Sequence, residues 1–334
     1  ALGGVIQRRS DDRAYFPCRE EIQQLAVTVL RYTVPPENEG CKLGLFLRMQ
    51  GVTAGLIKSV KHDGSGFFAD DAPLHTNQPV HAGQCISFAL PPEHDTSVTP
   101  QPVPFSIAYE DEFAAVLNKP AGIAVHPTLN YPDGTLANGW LYHLQQEGCT
   151  GIFRPVNRID KNTSGLVLCA QNAFAAPLLA ASARKCYLAI VQGAMPLGRG
   201  RVEAPIARRG DSIIGRCVRE DGKYSLTEYQ VLAVGRSHSL VACWLCTGRT
   251  HQIRVHMAYI GHSLAGDTLY GGSDAVIARH ALHCAILHFA HPLTGKPIRV
   301  ECPLPADMAA LAEAEDLLDG WQLSSLPCGE DALT

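Results

Sequence analysis

No stretch of this chain runs apolar for the roughly 18 residues that a membrane-spanning helix needs, so a helical membrane protein is excluded. Ala1–Ser10 carries Arg8 and Arg9 with no apolar core behind them, which is not the pattern of a secretory signal peptide. A cytoplasmic protein is the expectation. Charged residues are few, 18% against 46% apolar, a balance that excludes global disorder and supplies a sizeable core. Also missing is a second C-x-x-C. The twelve cysteines are scattered, and the one such pair, Cys243 and Cys246, lies in a strand-like run that points the two thiols to opposite faces. Free thiols in a reducing compartment, and no bound metal, are therefore expected.

The 334 residues are enough for two domains. The net charge of −4 argues at first against a polyanionic partner, but the charge is unevenly spread. Residues 184–254 hold twelve Lys/Arg and five Asp/Glu, a balance of +7, whereas residues 301–334 hold eight acids and no Lys/Arg, a balance of −8. A basic middle with an acidic end fits a polyanion-binding face, or ordinary surface charge that happens to cluster.

Five prolines between Pro91 and Pro104 forbid regular helix or central strand and mark a stiff linker over 93–104. Before it, residues 1–92 read as a small α/β module with helices at Leu43–Met49 and Ala54–Lys58 and strands near Gly66–Ala69 and Cys85–Leu90. After it, residues 105–310 read as an α+β domain with a mixed, mainly antiparallel central sheet and flanking helices and loops. Its strands fall at Ile107–Tyr109, Ala114–Leu117, Gly165–Ala170, Tyr187–Val191, Thr227–Leu232 and Leu240–Cys246, the last two alternating as half-buried strands do. Thr135 is placed to cap a helix through Leu136–Gln146. An acidic end, 311–334, completes a helix over Ala306–Leu318 and continues as an unpatterned tail.

Two strings carry the chemistry. In Asn157-Arg158-Ile159-Asp160-Lys161-Asn162-Thr163-Ser164-Gly165, an acid sits between two cations on a turn that feeds an apolar strand. Flanking cations favour the ionised carboxylate that a nucleophile requires, although turns are rich in Asp for local reasons as well. In Thr247-Gly-Arg249-Thr-His251-Gln252-Ile-Arg254-Val-His256, two Arg, two His, a Gln and a Thr offer many donors and no carboxylate, which suits an anion such as a phosphate or a buried Asp. The i, i+5 spacing of His251 and His256 does not place them together as metal ligands.

Two further strings are Leu117-Asn-Lys119-Pro120-Ala-Gly122-Ile-Ala-Val-His126-Pro127 and Lys185-Cys-Tyr187-Leu-Ala-Ile-Val-Gln-Gly193. With Leu264-Ala-Gly266-Asp267-Thr-Leu-Tyr270-Gly271 and Arg279-His-Ala-Leu282-His283, and in this order, they resemble the RluA-type pseudouridine synthase family over roughly residues 105–305. The first catalytic string departs from the family's His-Arg-Leu-Asp-x-x-Thr-Ser-Gly at Asn157, where the family commonly has His. Residues 35–90 resemble, in degenerate form, a small RNA-binding module, with cations at Lys42, Arg48, Lys58 and Lys61.

The resemblance implies an enzyme that isomerises uridine to pseudouridine in rRNA or tRNA, with no cofactor. It assigns the nucleophile to Asp160 and a wall against the base to Tyr187. Arg254, or alternatively Arg249, becomes the partner of Asp160. Arg158 fills the gap left by a flipped uridine, Ile253 packs on uracil, and His251 and Gln252 complete the substrate contacts. The oligomeric state is not legible, and a monomer is the expectation. Two rivals are a glycoside or nucleoside hydrolase, which usually needs a second carboxylate where cations stand here, and a catalytically silent RNA-binding protein, suggested by Asn157.

Overall fold

A computed structural model describes residues 28–92 and 97–328 of the chain. Ala1–Ser10, residues 93–96 of the proline-rich stretch and the last six residues of the acidic tail lie outside the described residues. The chain divides into two compact units, Ala1–Pro92 and Glu93–Thr334.

The first unit pairs β1 (Val29–Thr33) with β4 (Cys85–Ala89) and adds β2 (Phe68–Ala69) and β3 (Ala72–Pro73). Between them run α1 (Leu43–Met49) and α2 (Ala54–Asp63), the latter started by the Thr53 hydroxyl accepting from Leu56 N and extending further than Lys58. Leu30, Leu43, Phe46, Leu47, Val60, Ile86 and Phe88 form its core, while Lys42, Arg48, Lys58 and Lys61 are exposed.

The second unit is built on ten strands in a mixed, mostly antiparallel sheet. In chain order they are β5 (Ser106–Glu110), β6 (Ala114–Lys119), β7 (Arg154–Pro155), β8 (Ser164–Ala170), β9 (Arg184–Gln192) and β10 (Gly198–Glu203), then β13 (Leu226–Val234), β14 (His238–Leu245), β15 (Leu282–Ala290) and β16 (Pro297–Glu301). The main path is β10-β13-β14-β9-β15-β8-β6-β5, with β7 beside β8 and β16 beside β15. A separate hairpin joins β11 (Ile206–Arg208) to β12 (Arg216–Val218). The helices are α3 (Leu136–Gln146), α4 (Ala175–Ser182), α5 (Gln252–Tyr259) and α6 (Ala306–Ala314).

Several local details differ from the sequence reading. β14 does not alternate: it is buried from His238 to Trp244, because it lies between β13 and β9 with both faces covered. The described second half of the proline-rich stretch has no regular structure and is pinned to α3, where Asn138 Nδ2 donates to Thr99 O and Gln101 N donates to Asn138 O. Helix α6 stops at Ala314, where the chain turns so that the Glu315 carboxylate accepts from Ser237 N and its hydroxyl. The unpatterned residues beyond it are packed: Leu326 and Cys328 lie against Cys186, Leu188 and Trp244.

The meeting of β8 with β15 fixes the site. These strands run parallel, and only His283–Ser164 and Cys284–Gly165 pair. Gly165 sits at φ +107°, and a Cβ there would lie 2.3 Å from Cys284 O. Only glycine lets the chain leave the Asp160 loop and enter the sheet at this point.

Candidate active site

The loop between β7 and β8 carries Asp160 and is fastened at nearly every residue. Asn157 behaves as a substitute strand residue: its Oδ1 accepts from Leu168 N at 2.7 Å and its Nδ2 donates to Leu166 O at 3.2 Å. Thr163 N donates to Asp160 O at 3.1 Å and closes the turn. Lys119, wholly buried at the end of β6, donates to Lys161 O at 3.0 Å and Pro120 O at 2.9 Å. Burial, with Arg279 nearby, lowers its pKa to about 7. Thr163 Oγ1 pairs with His280 Nε2 at 2.8 Å, and Ser164 Oγ with His283 Nδ1 at 2.9 Å. Arg279, clamped by Asp307, donates to Asn162 O at 3.1 Å. The loop is therefore a rigid mount, and Asn157 contributes to it structurally.

Arg254, on α5, brings the second string to the first. Its Nη1 lies 3.1 Å from Asp160 Oδ2 across 94 positions of sequence. Its Nε and Nη2 grip both oxygens of Asp267 at 2.8 and 2.7 Å, and the Tyr270 ring lies 5.0 Å from the guanidinium carbon. Burial is the largest single influence and works against the guanidinium's charge, but the hydrogen bonds and charges of Asp267 and Asp160 together outweigh it and hold its pKa above the ordinary arginine value. Asp267 is 1% exposed and the Asp160 side chain 28%. Arg254 is thus a buried cation shared between an interior carboxylate that orients it and a reachable one that it serves.

His251 is the second group beside Asp160, its Nε2 3.6 Å from Oδ2. It stands at φ +58°, ahead of α5. Its Nδ1 lies 2.7 Å from Tyr270 Oη, which in turn accepts from Arg216 N at 3.0 Å. In the tautomer in which the Tyr270 hydroxyl donates to Nδ1, the His251 proton stands on Nε2, facing Asp160. Burial, and then the neighbouring arginines against the pull of Asp160, hold the imidazole below its ordinary pKa, so it is neutral near pH 7. Among the described residues, the polar contacts of the Asp160 carboxylate fall on Oδ2, which leaves Oδ1 unengaged.

These groups form the floor of an open cleft, lined also by Arg158, Ile159, Thr163, Tyr187, Leu245, Arg249, Ile253 and Leu282. Tyr187 and Ile253 are apolar wall, 5% and 3% exposed. Burial, with the Cys284 thiol beside it, pushes the Tyr187 hydroxyl well above its ordinary pKa, so it is a neutral phenol. Arg158 is exposed at the rim. Arg249 is exposed too and donates to Tyr224 O at 3.2 Å, so the partner of Asp160 is Arg254 rather than Arg249. Gln252 lines the cleft, but its amide is spent on Thr247, Arg249 N, Leu226 O and Thr227; it braces the loop and has no polar group left for a substrate.

Of the cations flanking Asp160 in sequence, Arg158 is exposed and lines the same cleft, whereas Lys161 Nζ lies 4.0 Å from the Tyr131 ring centroid. The +7 segment is not one face, since Arg254 is consumed on the cleft floor and Arg236 pairs with Asp316 at 2.9 Å. Groups with no role assigned from sequence complete the site, namely Asp267, Tyr270, Lys119, His280 and His283. Their signal was present in the quoted strings, but a carboxylate's role as an arginine clamp depends on a contact 13 residues away that only the fold makes.

Residues 114–259 match the family model described as RNA pseudouridylate synthase. An uncharacterized RNA pseudouridine synthase of Bacillus subtilis is 38% identical over 272 residues, covering 80% of this chain and 96% of the relative. Ribosomal large subunit pseudouridine synthase D of Xylella fastidiosa is 39% identical over 260 residues, 72% of this chain and 78% of its own. Among solved structures, human RNA pseudouridylate synthase domain containing 1 is 26% identical with a TM-score of 0.53, covering 68% of this chain and 97% of that one.

Proposed function

The chain belongs to the RNA pseudouridylate synthase family and is an RNA pseudouridine synthase, and on that premise we propose that Asp160 is its nucleophile and structured ribosomal or transfer RNA its cytoplasmic substrate. The ribosomal choice follows relatives such as the Xylella enzyme, whose name specifies the large ribosomal subunit. One observation carries the assignment: a partly exposed carboxylate, held by a buried arginine at 3.1 Å, with one oxygen unengaged, at the floor of a cleft walled by Tyr187, Ile253 and Leu282.

In this reading Oδ1 of Asp160 labilises the bond from ribose C1′ to uracil N1, whose electrons leave with the base. The base turns inside the cleft and bonds through C5 to C1′. The C5 hydrogen departs as a proton and N1 takes one up, so substrate and product are isomers. Arg254 sets a permanent positive charge 3.1 Å from the carboxylate. The flat wall of Tyr187 retains the freed uracil, and its hydroxyl, a neutral phenol, serves as a hydrogen-bond partner during the turn. Loop or bulge uridines suit such a site, because flipping them out costs least. Arg158 and Arg249, exposed at the rim, face the backbone that remains outside.

Replacing Asp160 with Asn keeps the shape and removes the charge. The expected result is RNA binding within a few fold of normal and no pseudouridine, measured by mapping on RNA from cells lacking the protein. Substantial turnover by Asp160→Asn removes it from the role. Tyr187→Phe keeps the wall and deletes the hydroxyl. It should bind normally and lose turnover by about 100-fold, the lower end for loss of a positioned proton-handling group; full activity reduces Tyr187 to packing.

A further inference from the structure

Lys161 follows the nucleophile yet turns away from it, and where it goes is informative. Its ammonium lies 4.0 Å from the centroid of the Tyr131 ring. Tyr131 closes a tight turn in which Thr128 N donates to Tyr131 O at 2.9 Å and Tyr131 N to Thr128 O at 3.0 Å. The tip of that turn is Leu129, which is fully exposed at 104%, and Tyr131 itself is 42% exposed. The pinned turn thus presents a leucine and an aromatic ring to water.

The turn is also coupled to the chemistry. Lys161 O accepts from buried Lys119 and from Gly122 N, so the residue that touches Tyr131 belongs to the same rigid mount as Asp160. With the ammonium over one face of the half-exposed ring, the opposite face is the one that can accept a stacked base, and the ammonium can meet the phosphate next to it. Pulling a uridine out of its stack leaves the neighbouring base with a bare face.

We propose that Tyr131, Lys161 and the Leu129 tip form a platform that receives the nucleotide flanking the target uridine, with the base on Tyr131 and its phosphate at Lys161. The proposal rests on the reading of the chain as an RNA pseudouridine synthase. It makes Tyr131 a residue of RNA affinity and local sequence context, with no part in bond breaking.

The test uses the full chain and a stem–loop RNA carrying the uridine that mapping identifies. Tyr131→Ala should raise KM about tenfold, the scale of one lost base–aromatic stack, with kcat within twofold. Tyr131→Phe should restore KM. Leu129→Asp changes a wholly exposed position and cannot disturb packing; it should raise KM several-fold by repelling phosphate. In the Asp160→Asn background, 2-aminopurine placed beside the target uridine should be quenched on binding, and Tyr131→Ala should remove the quench. A wild-type KM in both Tyr131→Ala and Leu129→Asp overturns the platform while leaving the function intact. A Tyr131→Phe protein as impaired as Tyr131→Ala also overturns it. If the wild-type chain forms no pseudouridine in any RNA, the functional reading falls first and the platform with it.

Discussion

Arg254 and Arg249 belong to one short motif and are used in opposite ways. Arg254 is buried, gripped by Asp267 through two bonds, and reaches Asp160 with a third. Arg249 is exposed at the rim and donates to the carbonyl of Tyr224. The same contrast holds for the regions they stand in. The floor of the cleft is a closed network in which nearly every polar group has a partner inside the protein. The rim offers Arg158 and Arg249 to solvent. A buried charge network gives fixed geometry at the reacting atoms, and exposed cations give salt-dependent attraction to a polyanion. Changes on the floor should therefore move turnover and stability together, and changes on the rim should move affinity alone.

The largest effect expected is at Arg254. Arg254→Ala strands Asp267, an interior carboxylate, and deprives Asp160 of its cation. A loss of about 3–5 kcal/mol in stability is expected from breaking a buried pair, together with loss of turnover. The heavier orphan is Asp267, since Asp160 is partly exposed. Replacing Arg254 and Asp267 together by leucines removes both buried charges and should recover most of the stability while turnover stays lost. Denaturant unfolding and pseudouridine formation measured on the same proteins separate the two. Recovered activity in the double variant would mean that the floor matters only as a scaffold.

The next effect belongs to the rim. Arg249→Gln removes an exposed cation without opening a cavity. RNA affinity at low salt should fall a few-fold, and the slope of log affinity against log salt should shrink by about 0.7–0.9, the share of one phosphate contact. Arg158→Gln should behave alike, with unfolding unchanged for both. The slope is read from binding titrations at several salt concentrations. A loss of stability in either variant, or an unchanged slope, would break the division between floor and rim.

The sequence shows this division unevenly. The fold class and the order of the motifs are legible because alternation, proline placement and the strings around Asp160 and Arg254 are local patterns. The Asp160–Arg254 pairing was expected from chemical need: a desolvated carboxylate requires a permanent cation. What was not legible are contacts that no local pattern encodes. Lys161 stands beside Asp160 in sequence, but its ammonium lies over the Tyr131 ring. Asp267 and Tyr270 lie outside the 114–259 segment matched by the family model and still complete the site. Asn157, the one departure in the nucleophile string, is explained once β8 is in place, because its amide fits Leu166 O and Leu168 N as a strand residue would. The packing of Leu326 and Cys328 has no periodicity to announce it, since single residues fill gaps left by β9 and β14.

The smallest effect lies beneath the floor, in the histidines that hold the Asp160 loop. Burial pushes His280 down to about 2 and His283 down to about 4, against an ordinary value near 6.5. Both are buried, at 5% and 1% exposure, and bond Thr163 and Ser164 as neutral rings. In the unfolded chain each takes up a proton below about pH 6.5, and in the folded chain neither does until the pH is far lower. The unfolded state therefore binds more protons in this window, so stability is complete above about pH 6.5 and is lost as the pH falls toward 4. Each histidine contributes at most about 1.4 kcal/mol per pH unit. Ordinary carboxylates titrate near 4, so the interval from 6.5 to 5 reports mainly on histidines, with His251 and His256, also lowered by burial, acting in the same direction. Thermal unfolding followed from pH 7 to pH 5 should show a falling midpoint, and His280→Gln, which keeps a donor for Thr163 but cannot titrate, should flatten the fall without abolishing it. Arg249→Gln should leave that curve unchanged. An identical slope in His280→Gln and the wild-type protein would show that His280 is not held neutral in the folded state, and the mount under Asp160 would then be softer than its hydrogen bonds require.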